Sequence, residues 1–237
     1  MKQAIVYLYT FILLIILSAC QQESPLPEQG TGYLQLDDLT LGNTTETIVT
    51  RVVEADLYIE ITNEADVNLS YNPGQFPGGK LELAAGNYTL KAYNEAYLTP
   101  GSNAPRYYAE QDFTIEAEKV RYVTLQVPMI NVAIKLAPFG DDLAGLFTNP
   151  TLTVKASTVT SEATTLGPDA TVYFDYTEGM TFTYQLTATN TDNETFSTEE
   201  KTYGNTEGNT MEPGHCYVIS YTLASSTRTL QDTWLCQ

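Results

Sequence analysis

Few residues in this chain have the types and spacing to do chemistry, and Cys20 is the first of them. It closes Leu17-Ser18-Ala19-Cys20, which has the form of a lipobox. Small Ser18 and Ala19 fit a signal peptidase, and the thiol of Cys20 would then carry a diacylglycerol. Before it, residues 4–17 form an apolar run behind the positive charge of Lys2. That run is too short to span a bilayer as a mature helix and suits the h-region of an export signal over residues 1–19. An ordinary secreted chain with a chance cysteine at the cut is the competing reading.

Other arrangements fail a chemical requirement. Gly74-Gln75-Phe76-Pro77-Gly78-Gly79-Lys80 has the G-x-x-x-x-G-K spacing of a phosphate loop, but Leu81 stands where a magnesium-binding hydroxyl is needed. The residues after Lys80 alternate as a strand, so no helix dipole would assist the loop amides. His215 is the only histidine, which excludes multi-histidine zinc sites. Its neighbour Cys216 would point to the opposite face of a strand, so the two make no nucleophile–base pair. The acids at Asp37-Asp38, Asp141-Asp142, Glu199-Glu200 and Asp192-Asn193-Glu194 follow no calcium-loop pattern and read as solvated loops. The chain is read as non-enzymatic, with no cofactor and no metal.

Two sets of residues remain. Tyr93, Tyr97, Tyr107 and Tyr108 cluster around a Pro-Gly-Ser-Asn loop, where tyrosine faces with polar neighbours could stack on a sugar or anchor a protein. Tyrosines packed at a sheet edge would give the same composition. Cys216 and Cys236 are an even pair once Cys20 is acylated, and a bridge closing about twenty residues would contribute on the order of 3 kcal/mol. The alternative is a buried thiol at Cys216 and a terminal one at Cys236.

The 237-residue chain carries 29 acidic and 11 basic side chains, net −18, and losing Lys2 with the export signal makes it −19. Nucleic acid and anionic lipid would be repelled, which excludes polyanion binding. Residues 20–31 contain Pro25, Pro27 and Gly30 without periodicity and read as a lipidated flexible tether reaching about 35 Å when extended. From Gly32 onward the pattern is strand, turn, strand. Residues 33–41 alternate with a register flip at Asp37-Asp38 that predicts a bulge, and 56–62 place Leu57, Ile59 and Ile61 on one face. Further strands are expected near 81–83, 87–93, 112–116, 120–127, 131–136, 152–156, 171–174, 182–189, 196–202 and 217–223. Gly86 is expected in a turn with positive φ, and 141–147 as a short helix with acids at its start. Short strands rich in Val, Ile, Thr and Tyr predict an all-β chain of two tandem antiparallel β-sandwich domains, 32–128 and 129–237, with the helix in the second.

Several segments in order resemble the fimbrillin-like lipoproteins of Gram-negative gut and oral anaerobes, in a branch catalogued as a domain of unknown function. They are Gly32-Tyr33-Leu34, Thr50-Arg51, the turn and strand over 83–92, Pro105-Arg106-Tyr107-Tyr108 leading to 112–115, 131–134 with 143–147 after it, and Pro213-Gly214. The resemblance implies two β-sandwiches and a role at the cell surface, in some members as pilus subunits, tips or anchors. It also implies a candidate processing site: in related pilins a protease cuts after an arginine that follows the first strand, and Arg51 stands in the matching place. An exposed loop arginine is the plainer reading of the same residue. The tail, 227–237, shows no long alternation of the kind a donor strand would need.

The expected protein is anchored through Cys20 to the outer membrane, most simply at the cell surface, with the periplasmic face open. It would act in adhesion or as a fimbria-associated tip, anchor or stand-alone component, with pilus subunits, glycans or proteins as partners. The alternative is a glycan-binding surface lipoprotein of a nutrient-uptake system.

Overall fold

A computed structural model describes residues 30–40, 56–64, 67–157, 162–204, 209–223 and 230–236. Cys20 and Arg51 lie outside the described residues. In the first half the strands are β1 (Thr31–Thr40), β2 (Tyr58–Thr62), β3 (Asn68–Tyr71), β4 (Leu81–Ala84), β5 (Gly86–Tyr93), β6 (Tyr108–Ile115) and β7 (Val120–Gln126). In the second they are β8 (Val132–Leu136), β9 (Phe147–Ala156), β10 (Thr164–Leu166), β11 (Thr171–Phe174), β12 (Phe182–Asn190), β13 (Thr195–Ser197), β14 (Lys201–Tyr203), β15 (Cys216–Leu223) and β16 (Leu230–Cys236). A 3-10 turn (Glu95–Leu98) comes after β5, and one helical turn, α1 (Asp141–Ala144), lies between β8 and β9.

The chain is all-β, in two sandwiches. Sheets β4-β1-β7 and β3-β2-β5-β6 enclose the first core, which includes Leu34, Leu57, Ile59, Ile61, Leu90 and Ile115. The alternation that predicts β2 explains its burial: Leu57, Ile59 and Ile61 point inward while Tyr58, Glu60 and Thr62 stay outside. Each such aliphatic side chain contributes about 1.5–3 kcal/mol by leaving water. In the second sandwich, β10-β9-β12-β13, with β14 also on β12, faces β11-β8-β15-β16 across a core containing Ile134, Leu136, Leu152, Phe182 and Ile219. Tyr173 of β11 packs against the first core, so the two sandwiches touch.

Most pairings are antiparallel. Among the described strands each half also holds one parallel pair, β1 with β7 and β8 with β15. Parallel neighbours need a long crossover. Here the crossover is the remainder of each sandwich, which turn punctuation does not reveal. The expected bulge is present, as a register shift between Leu36 and Asp38 opposite β7.

Four local expectations change. Gly86 is not among the glycines with positive φ; it enters β5 as a ladder residue opposite Ile115. The helix over 141–147 shortens to α1, because Phe147 is already paired with Asn190 at the start of β9. The single strand expected over 196–202 becomes β13 and β14, both hydrogen-bonded to β12. The tail without long alternation nonetheless forms β16, in register with β15 from Tyr217–Cys236 to Leu223–Leu230. Cross-strand pairing decides such a strand more than its own pattern does.

Candidate functional site

The outer face of the β3-β2-β5-β6 sheet is built in rows. Ladder register sets Tyr58 of β2 opposite Tyr93 of β5, and Tyr93 opposite Tyr108 of β6. Glu60, Lys91 and Glu110 make the next row; Thr62, Thr89 and Asp112 the one after. Side chains two apart on a strand share a face, so these rows lie side by side.

The aromatic row is extended by Tyr97 from the 3-10 turn. Tyr58 and Tyr93 stack with centroids 5.5 Å apart. Tyr97 lies 5.2 Å from Tyr93 and 4.6 Å from Tyr108, nearly parallel to the latter. The Arg106 guanidinium sits 5.6 Å from the Tyr97 centroid. Each outer phenol donates to a carboxylate: Tyr58 to Glu95, Tyr93 to Glu60 at 2.6 Å and Tyr108 to Glu110 at 2.6 Å. Burial, then the bond to Glu60, pushes the Tyr93 phenol up to about 12. The bond to Glu110, then burial, raises Tyr108 as well.

Of the four tyrosines singled out in the sequence, three therefore meet on this face. Tyr107 does not: it is one residue before Tyr108, faces the other way and is buried in the first core. Tyr58 takes its place. It lies 35 positions before Tyr93, and only the β2–β5 register brings the two together.

The loop that carries Tyr97 is fastened at both ends. The Asn94 side chain accepts from Tyr107 N at 3.0 Å and donates to the Pro105 carbonyl at 2.8 Å. Buried Asn131 accepts from Arg106 N at 3.0 Å and donates to the Ala104 carbonyl at 2.9 Å. Across the junction Arg106 pairs with Asp175, whose other oxygen accepts from Gly101 N at 3.2 Å, while Tyr173 N donates to Asn103 at 2.8 Å. Asn131, which reads in the sequence as a strand start, is the polar centre of this junction. Most ring faces are thus taken by other rings or by Arg106.

At the far end of the same sheet the face opens into a groove of about 1180 Å³. Polar residues of its lining include Thr62, Asn87, Thr89, Asp112 and Thr114, with Glu116, Lys119 and Arg121; apolar ones include Val67, Tyr88 and Phe113. Lys119 donates to Glu116 at 2.5 Å and holds its carboxyl below the usual carboxylate range.

The other candidate residues fall elsewhere. The phosphate-loop look-alike is a turn in which Gln75 N donates to Asn72 O and Gly79 N to Pro77 O; β4 begins at Leu81. Lys80 lies over the Tyr33 ring, 5.9 Å from its centroid. The His215 ring meets Tyr217 edge-on, and its Nδ1 is 3.6 Å from Glu212. Cys216 is buried in β15, and the register sets Cys236 opposite Tyr217, one position off Cys216. Among the described residues no three of His, Cys, Asp and Glu gather where they could hold a metal ion, and no helix is long and apolar enough to cross a membrane.

The family model described as "Domain of unknown function (DUF4493)" matches residues 30–232. This chain belongs to that family. No curated protein matches it in sequence. Among solved structures, this DUF4493 chain is similar to a Bacteroides uniformis protein described as a candidate for cell adhesion. That likeness has 14% identity over 90% of this chain and 99% of the other, with a TM-score of 0.49. A Bacteroides eggerthii protein given the same description has 10% identity over 88% and 95%, at 0.45. The fimbrial anchor protein Mfa2 of Porphyromonas gingivalis has 10% identity over 88% and 97%, at 0.37.

Proposed function

We propose that this DUF4493 protein is a non-enzymatic surface lipoprotein, anchored to the outer membrane through Cys20, that acts in adhesion or as a fimbria-associated tip, anchor or stand-alone component. The observation that carries the reading is the order of parts: a lipobox ending at Cys20, a stretch to Gly30 that carries two prolines and no sequence periodicity, and strand structure from Thr31 onward. Two acyl chains suffice for stable attachment. The resemblance to fimbrillin-like lipoproteins supports the adhesive role. We take the domains as 32–128 and 129–237, a division supported by two cores that part between Met129 and Val132.

A test compares cells lacking the protein with cells given back either the wild type or Cys20→Ala. Restoration of adherence by the wild type alone supports the reading; equal restoration by both defeats the anchor, and none by either defeats adhesion. We read Arg51 as an ordinary arginine and not as a processing site. Arg-specific digestion and then gel filtration should leave a monomer; a clean cut there that yields polymers would make the protein a pilin-like subunit.

The second reading, a glycan-binding lipoprotein of a nutrient-uptake system, is favoured by the open groove at the end of the first sandwich, where amides, hydroxyls and charged groups lie beside aromatic and aliphatic ones.

A further inference from the structure

The groove differs from the rest of this acidic molecule. Its lining carries Glu64, Asp112 and Glu116 against Lys119 and Arg121, nearly balanced charge in a chain of net −18. Beside those charges the lining offers the amides of Asn63 and Asn87 and the hydroxyls of Thr62, Thr89 and Thr114, and two of its polar side chains are already held by hydrogen bonds. Thr89 donates to one oxygen of exposed Asp112 at 2.7 Å, which leaves the second oxygen of that carboxylate as an outward acceptor. Thr114 donates to Oδ1 of exposed Asn87 at 2.8 Å, which turns the amide N–H groups outward as donors. The ladder puts Thr89 opposite Asp112 and Asn87 opposite Thr114. The acceptor and the donor therefore sit on adjacent rows, about 7 Å apart along the strand direction.

A sugar hydroxyl both donates and accepts, so neighbouring hydroxyls of one saccharide can satisfy the Asp112 carboxylate and the Asn87 amide together. Side chains locked before binding lose little entropy on contact. A polyanion would meet the carboxylates, and a polycation would meet Lys119 and Arg121. The three described rows run from the groove to Tyr58 at about 14 Å, the span of a short oligosaccharide.

We propose that this groove binds a neutral oligosaccharide, with Asn87 and Asp112 as its principal hydrogen-bonding contacts. The assignment rests on the protein's being surface-exposed only for where the ligand is met, and it names the chemistry of the second reading's site.

The test uses the full chain in detergent, titrated calorimetrically with maltohexaose, xylohexaose and mannohexaose, and with an anionic hyaluronan hexasaccharide. At least one neutral hexasaccharide should bind. Asn87→Ala and Asp112→Asn should each weaken it about tenfold, the equivalent of one hydrogen bond at about 1.4 kcal/mol. Glu194→Gln, on the second sandwich, should leave it unchanged. Asp112→Asn keeps the side-chain shape, and circular dichroism checks that each variant is folded. No binding by any neutral probe, binding indifferent to both groove variants, or equal binding of hyaluronan would overturn the proposal. Failure of the wild type to restore adherence in the cell experiment, with groove binding intact, would instead strike the adhesion reading, and adherence unchanged in Asn87→Ala cells would separate the groove from adhesion.

Discussion

Two glycines show how far single side chains are constrained. A Cβ on Gly32 would stand 2.2 Å from the Glu116 carbonyl and 2.7 Å from Ile115 Cγ2, so β1 would have to move off the end of β6 and the turn that follows it. Gly32→Ala should destabilise by about 1–3 kcal/mol, like other overpacked sites. Gly78, with nothing within 4 Å of the same position, should accept Ala with little change. Thermal melts of the pair check this. Tyr93 makes a pH prediction. Its phenol is raised to about 12 from an ordinary 10 by burial and by donating to Glu60. A raised folded pKa means that the stability it contributes is whole below pH 10 and is lost as pH climbs toward 12. The wild type should therefore lose stability between those values, and Tyr93→Phe should lose less across the same window in denaturant titrations. The residue scale is also where the sequence was least explicit about this site. Tyr93, Tyr97 and Tyr108 were visible as a cluster because they are close in the chain; Tyr58 was not, and Tyr107 was misplaced because strand phase, not proximity, decides which neighbour faces out.

At the scale of elements, the stretch 94–107 is a strap. It anchors Tyr97 in the aromatic row at one end and reaches Asp175 and Tyr173 in the second sandwich at the other. Arg106→Ala and Asp175→Ala in a double-mutant cycle should show about 1 kcal/mol of coupling, modest because the carboxylate is partly in water. Additive losses would reduce the pair to a surface contact. The β15–β16 ladder carries a further prediction. Cys236 is opposite Tyr217, so its position falls on the other side of the sheet from that of Cys216. The unreduced protein, once denatured, should take up alkylating reagent at both cysteines; protection of both would mean a bridge and a shifted register. Strands with clean alternation, such as β2, β5 and β12, were legible from their sequence because one face had to be apolar. β3, β10 and β16 were not, since short or edge strands are held by their neighbours. The parallel pairs and the strap depend on contacts between distant residues and leave no local pattern.

The whole molecule is two sandwiches behind a candidate lipid anchor, strongly acidic, with its open groove at the end of the first sandwich away from the strap. The charge fits an exported protein kept soluble near a membrane that also repels it. The central claim is that Cys20 carries lipid and becomes the first residue of the mature protein. Mass spectrometry of the N-terminal peptide, from protein extracted from the outer membrane of the native cell, tests it most directly. The expected result is a peptide beginning at Cys20 with a diacylglyceryl group. A mature chain that begins elsewhere, without lipid, would contradict it, and one beginning at Val52 would point instead to a processed pilin.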